Sequence, residues 1–183
     1  MGYDLAKNKA WDELVKLNPS GTQEVKLLGE GFEVNLKDRS VISLATRSTA
    51  KDFAAILILH YLFRKLKGLP QLNNEWLTFR ELSGVEGYYE AFRKRSIGPL
   101  IKKYGDNPQG IFGDLKKLPA KRFEGGDAGI IVEAFENVPA LVKVWGTDAE
   151  FKADANIYFD RSILNIFCTE DIVVLAGIIA VKL

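Results

Sequence analysis

A chain of 183 residues, 47% hydrophobic and 27% charged, has an ordinary globular composition, and its length predicts one domain spanning residues 1–183 with one sizeable core. With 25 Lys and Arg against 24 Asp and Glu, the net charge of +1 gives no electrostatic pull toward nucleic acid or an acidic membrane. One cysteine, Cys168, and one histidine, His60, exclude an intramolecular disulfide, a four-ligand zinc site and a cysteine-held iron–sulfur cluster.

The start, "MGYDLAKNKAWDEL", is charged throughout and has no leader-like apolar segment. The apolar runs 53–63 and 172–181 are shorter than the ~20 residues that span a bilayer, so a cytoplasmic protein is expected. Residues 4–17 read as a helix capped by Asp4, with Ala6, Ala10, Leu14 and Leu17 on one face. "NPSG" (18–21) stops it, and 24–29 and 31–44 read as strands with a turn at "KDRS". A helix follows over 48–68, capped by Ser48 or Thr49 and closed by basic residues and Gly68. Its middle is apolar on every side, which predicts a place at the centre of the core.

"WLTFREL" (76–82) has strand composition. Residues 87–105 read as helix with a break or new start at Pro99, and 107–118 as a short helix. The period then changes: 128–135, 140–146 and 155–160 are rich in β-branched and aromatic residues and are joined by short links, the pattern of an antiparallel meander. Residues 169–183 read as a helix with Thr169 as N-cap, strand being the alternative. The expected fold is α+β, a mainly antiparallel sheet with a C-terminal meander, flanked by helices.

Few motifs carry chemistry. "GGDAG" (125–129) lacks the lysine of a P-loop and the spacing of a dinucleotide fingerprint. "DAEFKADANIYF" (148–159) lacks the glycine and the closing glutamate of a calcium loop. The basic stretches 92–95 and 116–122 read as solvated faces. Two features remain. Trp76, Phe79, Arg80, Tyr88, Tyr89, Phe92, Arg93 and Arg95 fall within twenty residues, and aromatic rings beside guanidiniums suit a flat, anionic ligand. The alternative is a strand and helix with aromatics turned inward and arginines outward. The second feature is His60, in the middle of "AILILHYLF" beside Tyr61. Burial disfavours a charged ring, and a neutral one still needs a carbonyl, a carboxylate or a water as partner. Such a ring is either a satisfied core residue or the axial ligand of a tetrapyrrole metal. Any Cys-His nucleophile has to pair Cys168 with His60, and no spacing argues for it.

The segments "ILILHYL", "WLTFREL", "YYEAFRKR", "VPALVKVWGTDAEFKADANIYFDRSI" and "TEDIVVLAGII" resemble, in that order and over nearly the whole chain, the family called domain of unknown function 3786. The most specific part of the likeness comprises Trp145, Asp148, Glu150, Phe151, Ala155, Asn156, Phe159 and Asp160. The resemblance implies a setting in anaerobic bacteria and methanogenic archaea and brings no activity with it. Where the family pattern has His-Tyr-Leu-Pro before Thr-Glu-Asp, this chain has Asn165, Ile166, Phe167 and Cys168. Three functions are therefore carried forward. The first is a binding domain for a planar or anionic cofactor such as a tetrapyrrole, using His60, Tyr61, Trp76, Phe79, Arg80, Tyr88, Tyr89 and Arg93. The second is a protein-interaction module using the aromatics of 76–95. The third is an enzyme using carboxylates such as Asp148, Glu150 and Asp160, beside Trp145.

Overall fold

The computed structural model describes residues 2–17, 19, 21–82 and 84–183. Helix α1 (Gly2–Lys16) starts ahead of the expected cap, so Asp4 lies in the first turn, where the helix dipole favours it. Its inward face is Ala10, Trp11 and Leu14, while Ala6 is exposed. Strands β1 (Thr22–Leu27), β2 (Glu30–Asn35) and β3 (Ser40–Ser43) form a three-stranded antiparallel sheet. The β1–β2 hairpin turns on Leu28 and Gly29, both at positive φ (51° and 82°), the pair that a tight hairpin requires. The N–H of Leu28 donates to the Ala134 carbonyl at 2.8 Å and so ties this hairpin to the second sheet.

Helix α2 runs from Asp52 to Lys67, later than the Ser48 or Thr49 start that residue type suggested. The reason is that residues 48–50 are still pairing with β3: Ser43 N–H donates to Ser48, and Ala50 N–H to Val41. Ala55, Ile56, Leu57, Ile58, Leu59, Tyr61 and Leu62 are all buried. Five consecutive buried residues cover every side of a helix with 3.6 residues per turn, so α2 is enclosed, as its all-round apolar sequence requires.

The second sheet has five antiparallel strands in the order β4-β8-β7-β6-β5. The meander is β6 (Ala128–Phe135), β7 (Val138–Trp145) and β8 (Asp154–Asp160), as the period-2 runs predict. Strand β5 (Ala120–Phe123) forms the edge beside β6 and was concealed by its lysine and arginine. On the other edge β4 is only Trp76–Thr78. A 3₁₀ turn replaces the rest of the expected strand, because the Glu81 carboxylate turns back to accept from Thr78 N–H and Oγ1 at 2.7 Å.

The segment 87–105 does not break at Pro99. It passes from α3 (Tyr89–Phe92) through a π-helical turn (Arg93–Ile97) into α4 (Gly98–Tyr104). The wider turn, in which Gly98 N–H reaches the Arg93 carbonyl, places Pro99 in the first turn of α4, where its missing N–H costs nothing. Residues 108–116 form a 3₁₀ helix rather than an α-helix. The last element, α5 (Thr169–Lys182), resolves helix against strand; it buries Ile172, Val173, Leu175, Ala176, Ile179 and Ala180 against α2 and the π-helical turn.

A buried carboxylate closes the far end of α4. Asp114 accepts from Tyr104 Oη at 2.6 Å, Lys117 Nζ at 2.7 Å and Lys103 Nζ at 3.2 Å, and the Leu183 carbonyl shares the single hydrogen of the Tyr104 hydroxyl. Burial favours the protonated acid, but these three donors outweigh it and hold the carboxyl down to about 2 from an ordinary 3.8. A folded value below the unfolded one stabilises the fold above pH ~4, and the contribution is lost as the pH falls toward 2. Urea unfolding from pH 6 to pH 2 should therefore show the wild type losing about 2 kcal/mol that Asp114→Asn does not lose. Parallel pH curves for the two proteins would refute this account.

Candidate functional site

His60 points from α2 toward the amino-terminal end of α5. Cys168 is the N-cap of α5 and Asp171 its third residue, and together they make a reciprocal capping box. This moves the cap one residue ahead of the expected Thr169. One oxygen of Asp171, Oδ2, accepts from Cys168 N–H at 3.3 Å, from the Cys168 thiol at 3.2 Å and from His60 Nδ1 at 2.8 Å. A carboxylate can only accept, so Nδ1 carries the hydrogen and Nε2 is left without a partner among the described residues. The ring is also less buried than its sequence surroundings imply: its side chain is 35% exposed, against 10% for Asp171.

This grouping brings Cys168 and His60 together, but in an order that opposes thiol activation. Asp171 stands between them, and the thiol donates to a carboxylate instead of to an imidazole. Burial, first, and the neighbouring Asp171 charge push the Cys168 thiol up from its ordinary value, which is the reverse of what a nucleophile needs. Beside it Tyr88 Oη donates to Glu170 at 3.3 Å, and the Glu170 charge raises the tyrosine.

Only part of the aromatic–arginine set comes together, as a chain of contacts from Phe79 through Phe92 and Tyr89 to Arg80. Phe79 is buried and stacks on Phe92 with centroids 4.2 Å apart. Tyr61 is buried, stacks on Phe135 at 4.3 Å and donates to the Glu136 carbonyl. The Arg80 guanidinium lies 4.0 Å over the Tyr89 ring, Trp76 is half-buried in β4, and Arg93 is exposed. Four of the eight residues from the most specific part of the family likeness, Trp145, Asp148, Glu150 and Asp160, lie in β7, β8 and the link between them. Asp160 is buried and takes the backbone N–H groups of Asn73, Asn74 and Ser162; burial opposes its charge, yet these bonds keep its carboxyl below the ordinary value. Asp148 accepts from Glu150 and Phe151 N–H, which lowers it likewise. Glu150 is exposed, and Trp145 ends β7 half-buried.

A well-formed concavity lies elsewhere. A cleft of about 720 Å³ opens between the small sheet, the entry to α2 and the outer side of α5, within the ~300–1,000 Å³ typical of small-molecule sites. Its walls are Leu27, Leu28, Phe32, Phe53, Val173 and Ile178, and Lys51, Lys94, Arg95 and Lys182 stand among the lining residues. Lys182 pairs with Glu30 at 3.2 Å, and Ser43 Oγ also donates to Glu30 at 2.8 Å. Lys51, Lys94 and Arg95 have no carboxylate partner among the described residues. The π-helical turn packs on α5 beside Gly177, where a Cβ would make an ordinary contact 3.6 Å from that of Arg95. None of the eight residues expected to bind a cofactor lines this cleft. Its lining comes from α1, the small sheet, α2, α4, α5 and the π-helical turn, a set that no local motif announces.

Removing the Asp171 carboxylate deprives two helices of one shared acceptor. Asp171→Ala should cost about 2 kcal/mol in urea unfolding, and a double-mutant cycle with His60→Ala should return a coupling of about 1 kcal/mol. A coupling indistinguishable from zero would mean that the two helices do not depend on this bond.

Among the described residues no group of three or more His, Cys, Asp or Glu is placed to hold a metal ion, and no helix is long and apolar enough to cross a membrane. Searches of the curated proteins and of the solved structures found no match. The family model for Domain of unknown function (DUF3786) matches residues 13–182, so this chain belongs to that family.

Proposed function

We propose that this chain is a binding domain for an anionic small molecule with a large apolar body, held in the cleft between the small sheet and α5. The observation behind this reading is the pairing of apolar walls with three cations, Lys51, Lys94 and Arg95, that have no carboxylate partner among the described residues. Apolar walls supply affinity in proportion to the area they remove from water, and unpaired cations select an anion. The anionic part of the expected ligand is thereby kept, with its place moved from the aromatic–arginine segment to the cleft. The anionic, apolar probe anilinonaphthalene sulfonate tests it. Its fluorescence should rise on binding the folded protein, and Val174→Trp, which fills the cleft from the half-buried side of α5, should weaken binding at least tenfold. Equal binding by the variant would remove the cleft from consideration.

A second reading, the tetrapyrrole, draws support from His60. An imidazole whose Nδ1–H is held by a carboxylate, with Nε2 left free, is oriented as metal-ligating histidines are. Haemin titration should then give an absorption band shift that His60→Ala abolishes; a shift that survives the substitution, or none, counts against axial ligation. The interaction-module and carboxylate-enzyme readings have less behind them. Trp76, Phe79 and Tyr89 are not exposed, and Asp148 and Asp160 are occupied by backbone N–H groups of nearby loops.

A further inference from the structure

The shape and chemistry of the cleft narrow the occupant further, on the footing of the cleft-binding reading above. On α5 the lining residues Val173, Val174, Gly177, Ile178, Val181 and Lys182 recur every three or four positions, so they form one stripe along the helix. Nine steps at ~1.5 Å each make that stripe about 14 Å long. Along this stripe the cleft is a trough whose α5 wall is aliphatic, and the rings that line it, Tyr3, Phe32 and Phe53, come from the other elements.

Two apolar side chains at the trough are left in solvent: Val181 is 79% exposed and Tyr3 55% exposed. The described residues leave more than half of each uncovered, and a ligand lying along the stripe would cover both. The polar groups supply a place for charge part-way along it. Glu30 is paired with Lys182 and accepts from the Ser43 hydroxyl, so its charge is matched by a cation other than Lys51, Lys94 and Arg95. Arg95 stands beside Gly177, half-way along the stripe, with Lys94 next to it and Lys51 entering from the start of α2. A guanidinium and two ammonium groups, all exposed and long-armed, can gather on one carboxylate or phosphate while the trough takes up a hydrocarbon tail.

We infer that the cleft binds a linear aliphatic chain ending in an anionic head group, a carboxylate or a phosphate monoester. The test uses the full chain with four sixteen-carbon probes below their micelle concentrations: palmitate, hexadecyl phosphate, hexadecanol and hexadecyltrimethylammonium. Each is titrated against bound anilinonaphthalene sulfonate and checked by calorimetry. Palmitate or hexadecyl phosphate should displace the dye at least tenfold more tightly than the neutral and cationic chains, and the tighter of the two identifies the head group. Arg95→Glu and Lys94→Glu should each weaken that anion about tenfold with the urea midpoint unchanged, since both residues are exposed. Hexadecanol binding as well as the anions, or anion binding unaffected by both substitutions, would overturn the inference. Dye that binds in the cleft but yields to none of the chains would overturn it while leaving the cleft-binding reading standing. Failure of the dye to bind at all would remove both.

Discussion

One carboxylate oxygen sets the relation between the two most apolar helices of this protein. Asp171 Oδ2 takes the backbone N–H and the thiol of the residue that caps α5, and the imidazole of a residue in the middle of α2. Hydrophobic burial presses these helices together but is non-directional, and two helices apolar on many sides can slide or rotate against each other at small cost. A hydrogen bond between His60 and a nearly buried carboxylate has a length and an angle, so it selects one of those arrangements. The same oxygen ends the helix, so the register of α5 and its docking are decided at a single point.

From that point the outer side of α5 follows. With its amino-terminal end held against α2, the helix runs past the π-helical turn beside Gly177 and presents Val174, Ile178 and Val181 to the trough. The trough is the space left between the three-stranded sheet, the entry to α2 and α5. The π-helical turn matters in the same way. By carrying one extra residue ahead of Pro99 it keeps the helix continuous and sets Lys94 and Arg95 at the edge of the trough.

Local patterns in the chain announced much of the architecture. The period-2 runs of the meander, the all-round apolar middle of α2 and the apolar run of α5 are set by neighbouring residues, and each stands in the structure as an element of the expected kind. Boundaries went astray where a longer-range bond competed with local preference. Ser48 and Thr49 pair with the small sheet instead of capping α2, and Glu81 folds the "WLTFREL" stretch out of its strand. Strand β5 was missed because an edge strand with one neighbour tolerates Lys121 and Arg122, which reads as a solvated loop.

The candidate site was hidden for a different reason. Composition by itself determined that His60 and Cys168 were the only histidine and cysteine to consider, and helical spacing determined that His60 lay on a core helix needing a partner. It could not determine that partner, because Asp171 is 111 positions away and its carboxylate was already accounted for by helix capping. Nor could it assemble Leu27, Lys51, Arg95 and Ile178 into one trough, since each is unremarkable beside its own neighbours. Periodicity reports which face of an element avoids water. Which faces meet, and where they leave a gap lined with unpaired charge, depends on how whole elements pack, and only the tertiary structure decided that.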